Sequence, residues 1–175
     1  MTIPKSGKEN PMHEIKIAKV TLNVGAGKNE DLMKRGLKLL GILAPGCTPV
    51  KTATKRRIPG WGLRPGLAIG CKVTVRKDAE KLLKRLLAAK ENKLKASNFD
   101  NSGNLSFGIP EYIDIEGVKY DPELKIMGLE AAITLERFGY RVKKRRIKQS
   151  SVGKKQQITK QEAMAFIKKL GVEVQ

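Results

Sequence analysis

The sequence contains few of the residues on which metal binding, disulfide bonding and acid–base catalysis depend. Its two cysteines, Cys47 and Cys71, are 24 residues apart and lack CxxC or CxxH spacing, so we expect reduced thiols and no metal or other cofactor. The single histidine, His13, has no neighbouring pattern that would make it a general base. Apolar runs are too short for a signal peptide or a membrane span. These absences favour a soluble cytoplasmic protein that is not an enzyme.

Acidic residues are missing from two long stretches of the chain. Residues 32–77 contain eleven Lys and Arg and no Asp or Glu, and residues 137–161 contain ten and again none. The other 104 residues contain 15 basic and 17 acidic side chains, so the net charge of +19 comes entirely from these two basic windows. Concentrated charge of one sign repels itself unless a partner neutralises it. The predicted partner is a dense polyanion.

The hydrophobic pattern predicts an α+β fold, with a mostly antiparallel sheet, helices packed on one face and long basic loops. We expect strands over residues 15–24, with a bulge or strand start near Ala18, and over 70–77, and a short strand near Val50. Two or three antiparallel strands are expected among 112–115, 129–135 and 140–147, and residues 172–174 can extend to a last strand. Three helices are predicted: one capped by Asn29, one capped by Asp78 and ending near Ala96, and one begun by a capping box from Thr159 to Glu162.

The glycine-rich segment Gly25-Ala26-Gly27-Lys28 does not fit a nucleotide site. A Walker motif would place a glycine where Leu22 stands and Ser or Thr where Asn29 stands. We interpret the segment as a tight strand-to-helix turn, which can still meet a phosphate of a larger polyanion.

The position of the cations favours a nucleic acid. Lys51, Lys55, Arg56, Arg57 and Arg64 lie in a stretch rich in glycine and proline, and residues 143–146 form a run of four cations; neither group is predicted on a helix surface. Arginine binds phosphate with two hydrogen bonds, and a glycine-rich loop lets backbone N–H groups approach a phosphodiester. The domain prediction is a flexible tail over residues 1–12 and one RNA-binding domain over 13–175, with a basic loop at about 51–68 and a basic strand/loop extension at about 137–158.

The predicted outer face of the sheet indicates how RNA would be bound. If the strands containing Thr21 and Asn23 and containing Lys72, Thr74 and Arg76 pair, these side chains share one face. The face has no aromatic platform for splayed bases, so we expect structured RNA bound through its shape, phosphates and sugars.

Trp61 is the one aromatic residue of the basic loop. Its ring either stacks on a base or packs against the sheet to anchor the loop, and the sequence leaves both interpretations open.

Two other classes fit less well. A nucleic-acid-modifying enzyme would need carboxylates inside the basic surface, where none occurs. A binder of anionic membranes would need a basic amphipathic helix with large apolar anchors, whereas most of these cations lie in predicted loops and strands.

Four sequence blocks resemble the family of large-subunit ribosomal protein five, which binds 5S ribosomal RNA. The blocks are Ile17-Ala-Lys-Val-Thr-Leu-Asn-Val-Gly-Ala-Gly27, Thr54-Lys-Arg-Arg-Ile-Pro-Gly-Trp-Gly-Leu-Arg-Pro-Gly66, Ile69-Gly-Cys-Lys-Val-Thr-Val-Arg76 and Gly103-Asn-Leu-Ser-Phe-Gly-Ile-Pro-Glu111. Their order and spacing match, and the basic insert at about 137–158 resembles archaeal or eukaryotic members more than bacterial ones.

The resemblance implies a structural protein of the central protuberance in the cytoplasmic ribosome, whose sheet binds the helix III and loop C region of 5S RNA. Asn23 and Thr74 fall at family contact positions; a third, often Gln, corresponds to Cys47, with Thr48 or Lys51 as substitutes. The residues expected to bind 5S RNA are Asn23, Thr48, Lys51, Thr52, Lys72, Thr74 and Arg76.

The resemblance also implies contacts beyond 5S RNA. The basic loop resembles the family's loop that approaches the elbow of peptidyl-site transfer RNA, with Lys55, Arg56, Arg57, Trp61 and Arg64 as its residues. Further ribosomal RNA contacts are expected from Arg141, Lys143, Lys144, Arg145, Arg146, Lys148, Lys154 and Lys155. The expected partners are 5S RNA, large-subunit RNA, peptidyl-site transfer RNA and, across an intersubunit bridge, small-subunit ribosomal protein thirteen, with no membrane.

Overall fold

The computed structural model of the chain describes residues 10–175. Within them the strands are β1 Ile15–Gly25, β2 Val50–Ala53, β3 Ala68–Val75, β4 Lys93–Leu94, β5 Leu105–Ile109, β6 Leu129–Arg137 and β7 Glu173–Val174. The α-helices are α1 Glu30–Leu43, α2 Ala79–Ala88, α3 Arg141–Lys144 and α4 Lys160–Lys169. Five strands form an antiparallel sheet in the order β2-β3-β1-β6-β5, and β4 pairs with β7 in a separate parallel pair. The predicted α+β class and mostly antiparallel sheet are confirmed.

The central strand of the sheet is β1, which pairs with β3 along one edge and with β6 along the other. The β1–β6 register shifts between Ile17 and Lys19, so Ala18 is an extra residue, and the bulge predicted there is confirmed. An extra residue reverses the alternation of side chains between the two faces. Ile17 therefore joins Val20 on the apolar face.

One face of the sheet is covered by α1 and α2. Residues of alternate parity in β1 and β3, such as Leu22 and Val73, pack with the leucines of both helices in one hydrophobic core. Helix α1 comes close to the sheet at Gly36, where a Cβ would lie 2.8 Å from Sγ of Cys71. Burial raises the pKa of the Cys71 thiol, so this thiol stays protonated and unreactive. Cys47 and Cys71 are both free.

Helix α2 is shorter than the prediction, and the residue at its N-terminus does not cap it with its side chain. The chain leaves the helix after Ala88, and Glu91 and Asn92 both adopt a φ of 55°. Leu94, which we assigned to the apolar stripe of the helix, instead pairs with Val174 in the β4–β7 ladder. Asp78 makes no capping hydrogen bond, and its carboxylate pairs with Lys81 at 2.9 Å.

Of the three segments among which two or three strands were expected, only 129–135 is a strand, so the prediction is wrong for 112–115 and 140–147. Residues 112–115 form a 3₁₀ turn over Tyr112–Asp114, in which the Tyr112 ring is fully buried and its hydroxyl accepts the backbone N–H of Asp121 at 3.1 Å. Residues 140–147 contain the short helix α3, so Lys143 and Lys144 lie on a helical turn and not on a strand. Aromatic and β-branched residues in these segments imitate strand alternation without having a partner strand. The sequence pattern also missed β5.

The helix and turn signals were more reliable. Asn29 caps α1 through its side chain, and the capping box of α4 is complete, with the Thr159 backbone N–H donating to Glu162 at 2.9 Å. Residues 1–9 of the predicted flexible tail lie outside the described residues, whereas Pro11–His13 form a 3₁₀ turn capped by Asn10. Within the described part of the chain, no helix has the length and apolar character needed to cross a membrane.

The close approach of α1 to the sheet gives a test of the core. Gly36→Ala should lower the free energy of unfolding by about 1–2 kcal/mol, because a Cβ there would collide with Cys71 and with Val24. Gly41→Ala, in the same helix with nothing within 4 Å of its Cβ position, is the matched control and should stabilise by about 0.5–1 kcal/mol. Chemical denaturation of both variants measures this, and stabilisation by both would contradict the close packing at Gly36.

Candidate nucleic-acid interface

The sheet face opposite α1 and α2, which we call the polar face, carries small polar and charged side chains in cross-strand rows. Thr21 of β1 stands between Thr74 of β3 and Ala132 of β6, and Asn23 stands between Lys72 and Glu130. Ser106 and Gly108 of β5 continue the two rows. All these residues are exposed or partly exposed. The predicted pairing of Thr21 and Asn23 with Lys72 and Thr74 on one face is therefore confirmed.

The polar face forms part of an open concavity of about 910 Å³. Its other wall comes from the segment that follows α2, with Lys90, Lys93, Lys95 and Asn98. Lys93 is held by Glu91 at 3.0 Å, and this hydrogen bond raises the lysine's pKa. Lys90 and Lys95 have no carboxylate within 4.0 Å among residues 10–175. The concavity thus combines hydrogen-bonding groups and two free lysines with the carboxylates of Glu91, Asp114 and Glu130, and it was not predicted from the sequence.

The centre of the polar face also carries a carboxylate that sequence reasoning missed. Nδ2 of Asn23 donates to Oε2 of Glu130 at 3.1 Å across the β1–β6 pair. Glu130 lies outside the two basic windows, in the part of the chain where acidic and basic residues balance, so the charge distribution did not single it out. Its position opposite Asn23 follows only from the strand register.

The structure brings only part of the predicted 5S set to the polar face. Thr52 of β2 is opposite Gly70, so its side chain lies on the polar face. Lys51 is opposite the buried Cys71, so its side chain lies on the face covered by the helices. Thr48 and Cys47 precede β2 and lie outside the paired rows. Arg76 directly follows the last residue of β3 and is exposed. The sequence analysis did not place Val50 on this face, but the residue is opposite Lys72 and is 56% exposed.

The basic loop forms a hairpin arm, which we define as residues 54–67. Its base is closed by the Thr54 backbone N–H, which donates to the Leu67 carbonyl at 2.8 Å. Its tip is a tight turn in which Ile58 and Leu63 donate to each other's carbonyls at 3.1 Å. Leu63 is buried, whereas Trp61 is 70% exposed. The Trp61 ring therefore does not anchor the arm to the sheet.

The arm is surrounded by positive charge. Lys55, Arg56, Arg57 and Arg64 are all exposed. Lys28, in the glycine-rich turn between β1 and α1, is a further cation at the arm, which the sequence analysis did not include. Its Nζ lies so close to Gly62 that a Cβ there would collide with it. The glycine-rich turn thus lies against the tip of the arm.

Most cations of the two basic windows are unpaired. Three of the 21, Lys38, Arg137 and Lys144, have a carboxylate partner, and among residues 10–175 the other 18 have none within 4.0 Å. Lys38 is held by Asp121 at 2.9 Å and by Glu123, and these hydrogen bonds raise its pKa and lower that of Asp121. The free cations include every one of the arm, so a polyanion would meet no competing carboxylate there.

The basic extension, residues 137–158, is tied to the core at its two ends. Arg137 is buried, and its guanidinium donates to Glu162 of α4 at 2.7 Å and to the carbonyls of Lys155 and Gln157. Tyr140 donates its hydroxyl hydrogen to the Gln156 carbonyl at 3.1 Å. Arg137 is therefore a structural cation of the extension and is not available to a ligand.

Between these ties the extension presents exposed cations. Arg141, Lys143, Arg145, Arg146, Lys148, Lys154 and Lys155 are all exposed. Lys144 is also exposed but pairs with Glu136, and Nε of Arg145 donates to the Lys148 carbonyl at 2.7 Å. Ile147, between Arg146 and Lys148, is 77% exposed. The surface can neutralise phosphates, while its local hydrogen bonds hold the turn in shape.

Comparisons with known proteins identify the family of this chain. A family model described as ribosomal protein L5 matches residues 10–64, and a second model, described as the C-terminus of the same ribosomal family, matches residues 68–166. The chain belongs to the ribosomal protein L5 family. The two matched segments form one folded sheet, because β1 of the first segment lies between β3 and β6 of the second.

Similar L5-family proteins come from archaea. The large ribosomal subunit protein uL5 of Nanoarchaeum equitans is 50% identical over 169 residues, which cover 95% of this chain and 99% of that protein. The protein of the same name from Sulfurisphaera tokodaii is 45% identical, covering 91% of this chain and 90% of that protein. The one from Methanosphaera stadtmanae is 41% identical, covering 91% and 95%. The archaeal resemblance of the basic extension agrees with these relatives.

The tie between Arg137 and Glu162 predicts a pH-dependent contribution to stability. The hydrogen bond from the Thr159 backbone N–H, together with the Arg137 guanidinium, lowers the pKa of Glu162. Glu162→Gln keeps a capping side chain but removes the charge, so we expect a loss of about 1 kcal/mol at neutral pH, reduced by the partial exposure of Glu162.

A carboxylate with a lowered pKa stabilises the fold fully above its ordinary value of about 4.3, and this contribution is lost as the pH falls through the lowered pKa. The difference between the wild type and Glu162→Gln should therefore shrink in acid, as measured by denaturation at several pH values. Glu111→Gln, an exposed carboxylate with no cation within 4.0 Å in the described part of the chain, is the control. A pH-independent difference would argue against the ion pair.

Proposed function

We propose that this protein, a non-enzymatic member of a large-subunit ribosomal protein family, binds 5S ribosomal RNA through the polar face of its sheet. The observation that carries the proposal is the row structure of that face. Asn23, Thr21 and Thr74 offer hydrogen bonds beside Lys72 of the same face, and Lys90 and Lys95 lie on the other wall of the concavity. Rows of polar and charged side chains without an aromatic ring, as the paired residues of this face show, suit a structured RNA helix, which is recognised by its shape, sugars and phosphates.

The arm supports a second contact, to peptidyl-site transfer RNA. It projects beyond the β2–β3 pair as a hairpin with an exposed Trp61 at its tip, and the arginines beside it have no carboxylate partner among residues 10–175. Exposed aromatic rings gain energy by stacking on bases, and arginine forks bind phosphates. This combination fits an RNA surface that approaches the tip of the arm.

The basic extension supports contacts to large-subunit ribosomal RNA. Its seven exposed cations have no carboxylate partner in the described part of the chain. They lie on a segment held at both ends, so binding phosphates there requires little ordering of the backbone. We include the intersubunit contact with small-subunit ribosomal protein thirteen in the proposal on family resemblance alone, without assigning residues to it.

The experiment that tests the main proposal is a binding titration of the purified protein against 5S RNA at two salt concentrations. Duplex DNA of equal length and an unrelated structured RNA serve as competitors. We expect 5S RNA to be preferred by about a hundredfold, which corresponds to roughly 2.7 kcal/mol. Equal affinity for all polyanions, with equal loss in high salt, would leave only non-specific electrostatic binding.

The polar face and the arm should be separable by mutation. Asn23→Ala with Thr74→Ala should weaken 5S binding about tenfold or more, because each lost hydrogen bond contributes about 0.5–1.5 kcal/mol, and should leave transfer-RNA engagement unchanged. Arg56→Ala with Arg57→Ala should do the reverse and reduce the salt dependence of transfer-RNA binding. The charge-matched control is Lys168→Gln with Lys169→Gln, two exposed lysines at the end of α4. Equal losses in both assays for both double variants would contradict the division.

The role of Trp61 can be tested without disturbing the fold. Because its ring is 70% exposed, Trp61→Ala should change the free energy of unfolding by less than about 0.5 kcal/mol. If the ring stacks, transfer-RNA engagement should fall about tenfold, and Trp61→Phe should restore part of it. A Trp61→Ala protein that engages transfer RNA like the wild type would show that the arm acts through charge alone.

A further inference from the structure

One carboxylate lies in the middle of the proposed RNA-binding face, where it opposes the function of its surroundings. Glu130 is exposed, and among residues 10–175 no cation lies within 4.0 Å of it. On its other side in the row stands Gly108, which has no side chain. An unpaired negative charge repels phosphate. Its presence therefore needs a reason other than general affinity.

The hydrogen bond of Glu130 fixes the orientation of the Asn23 amide. An ionised carboxylate only accepts hydrogen bonds, whereas an asparagine amide has a donor end and an acceptor end. Nδ2 of Asn23 must therefore face Glu130, as it does at 3.1 Å. The acceptor Oδ1 receives no hydrogen bond from any group within residues 10–175 and remains available. A phosphate has only acceptors to offer and cannot pair with it.

The row across the sheet is polarised. Lys72, Asn23 and Glu130 are direct cross-strand neighbours on β3, β1 and β6, so the positive and negative ends are about 10 Å apart, two strand spacings. A phosphate is drawn toward Lys72 and kept away from Glu130. The free acceptor Oδ1 of Asn23, between them, can pair only with a donor. The wide minor groove of a structured RNA helix displays ribose hydroxyls and base edges, and the 2′-hydroxyl is the donor that every nucleotide offers there.

We infer that Glu130 is a positioning residue that presents Oδ1 of Asn23 to a ribose 2′-hydroxyl and so makes the polar face selective for ribose. This inference rests on the proposed binding of 5S RNA. It assigns a function to the one carboxylate of the row and makes Asn23 a reader of sugar chemistry.

The test compares two probes that share A-form geometry. One is a 5S RNA transcript, and the other is the same transcript made with 2′-fluoro nucleotides, which cannot donate a hydrogen bond from the ribose. The quantity of interest is the affinity of the full-length protein for the 2′-hydroxyl transcript divided by its affinity for the 2′-fluoro transcript, measured by fluorescence anisotropy. Glu130→Gln keeps the size of the side chain but no longer dictates the amide orientation, because glutamine can both donate and accept.

We expect Glu130→Gln to lower the ratio about threefold to tenfold, the range for one hydrogen bond, while raising the affinity for the 2′-fluoro probe. Asn23→Ala should lower the ratio similarly, and adding Glu130→Gln to Asn23→Ala should lower it no further, because both act through one amide. Glu111→Gln, which removes the same charge away from the sheet, should leave the ratio unchanged. Thermal unfolding followed by circular dichroism checks that the exposed position tolerates each change.

Two outcomes would overturn the inference while leaving 5S binding intact. If Glu130→Gln strengthens binding of both probes equally, the carboxylate acts only by repulsion. If Asn23→Ala leaves the ratio unchanged, Asn23 does not read the ribose. A wild-type protein that prefers 5S RNA neither to unrelated structured RNA nor to duplex DNA would instead overturn the proposed function itself.

Discussion

The structure depends on the hydrogen bonding of β1 along both of its edges. Because β1 pairs with β3 and with β6, a strand interior to the sheet supplies both the core residues Leu22 and Val24 and the polar residues Thr21 and Asn23. Each side chain lies on the face that its parity dictates. A slip of one residue would exchange the two sets. The same register therefore fixes the core under the helices and the composition of the polar face.

The bulge at Ala18 extends this constraint to the whole strand. Without an extra residue, Ile15 and Ile17 would lie on the polar face and expose apolar surface in the path of a ligand. The bulge places Ile17 opposite Leu135, two residues along β6 from Ile133, which pairs with Val20. Ile17 and Val20 therefore lie on the same, apolar face. Helix α1 then packs closely on the apolar face, with Gly36 against Cys71 and Val24. The polar face of β1 therefore carries no large apolar side chain, because Ile17, Val20, Leu22 and Val24 all lie on the other side.

Sequence reasoning succeeded where the signal is local and failed where it depends on distant partners. Strand alternation in β1, the Asn29 cap and the Thr159–Glu162 capping box each need only neighbouring residues, and the structure contains all three. The end of α2 was missed because Leu94 fits both a helical stripe and a two-residue strand whose partner is Val174, 80 residues away. Glu130 was missed for the same reason: its importance comes from the residue opposite it, which no local pattern reveals.

The pairing of charges separates structural from ligand-facing cations. The three paired cations of the basic windows hold loops or helices to one another: Lys38 joins α1 to Asp121, Arg137 joins β6 to α4, and Lys144 joins α3 back to Glu136. The arm has no such partner among the described residues, so its charges repel one another in the free protein. Self-repulsion that is relieved only by a polyanion lowers the stability of the free protein relative to the complex. Glu130 is the opposite case: among residues 10–175 this carboxylate has no cation within 4.0 Å, and its hydrogen bond goes to the Asn23 amide instead.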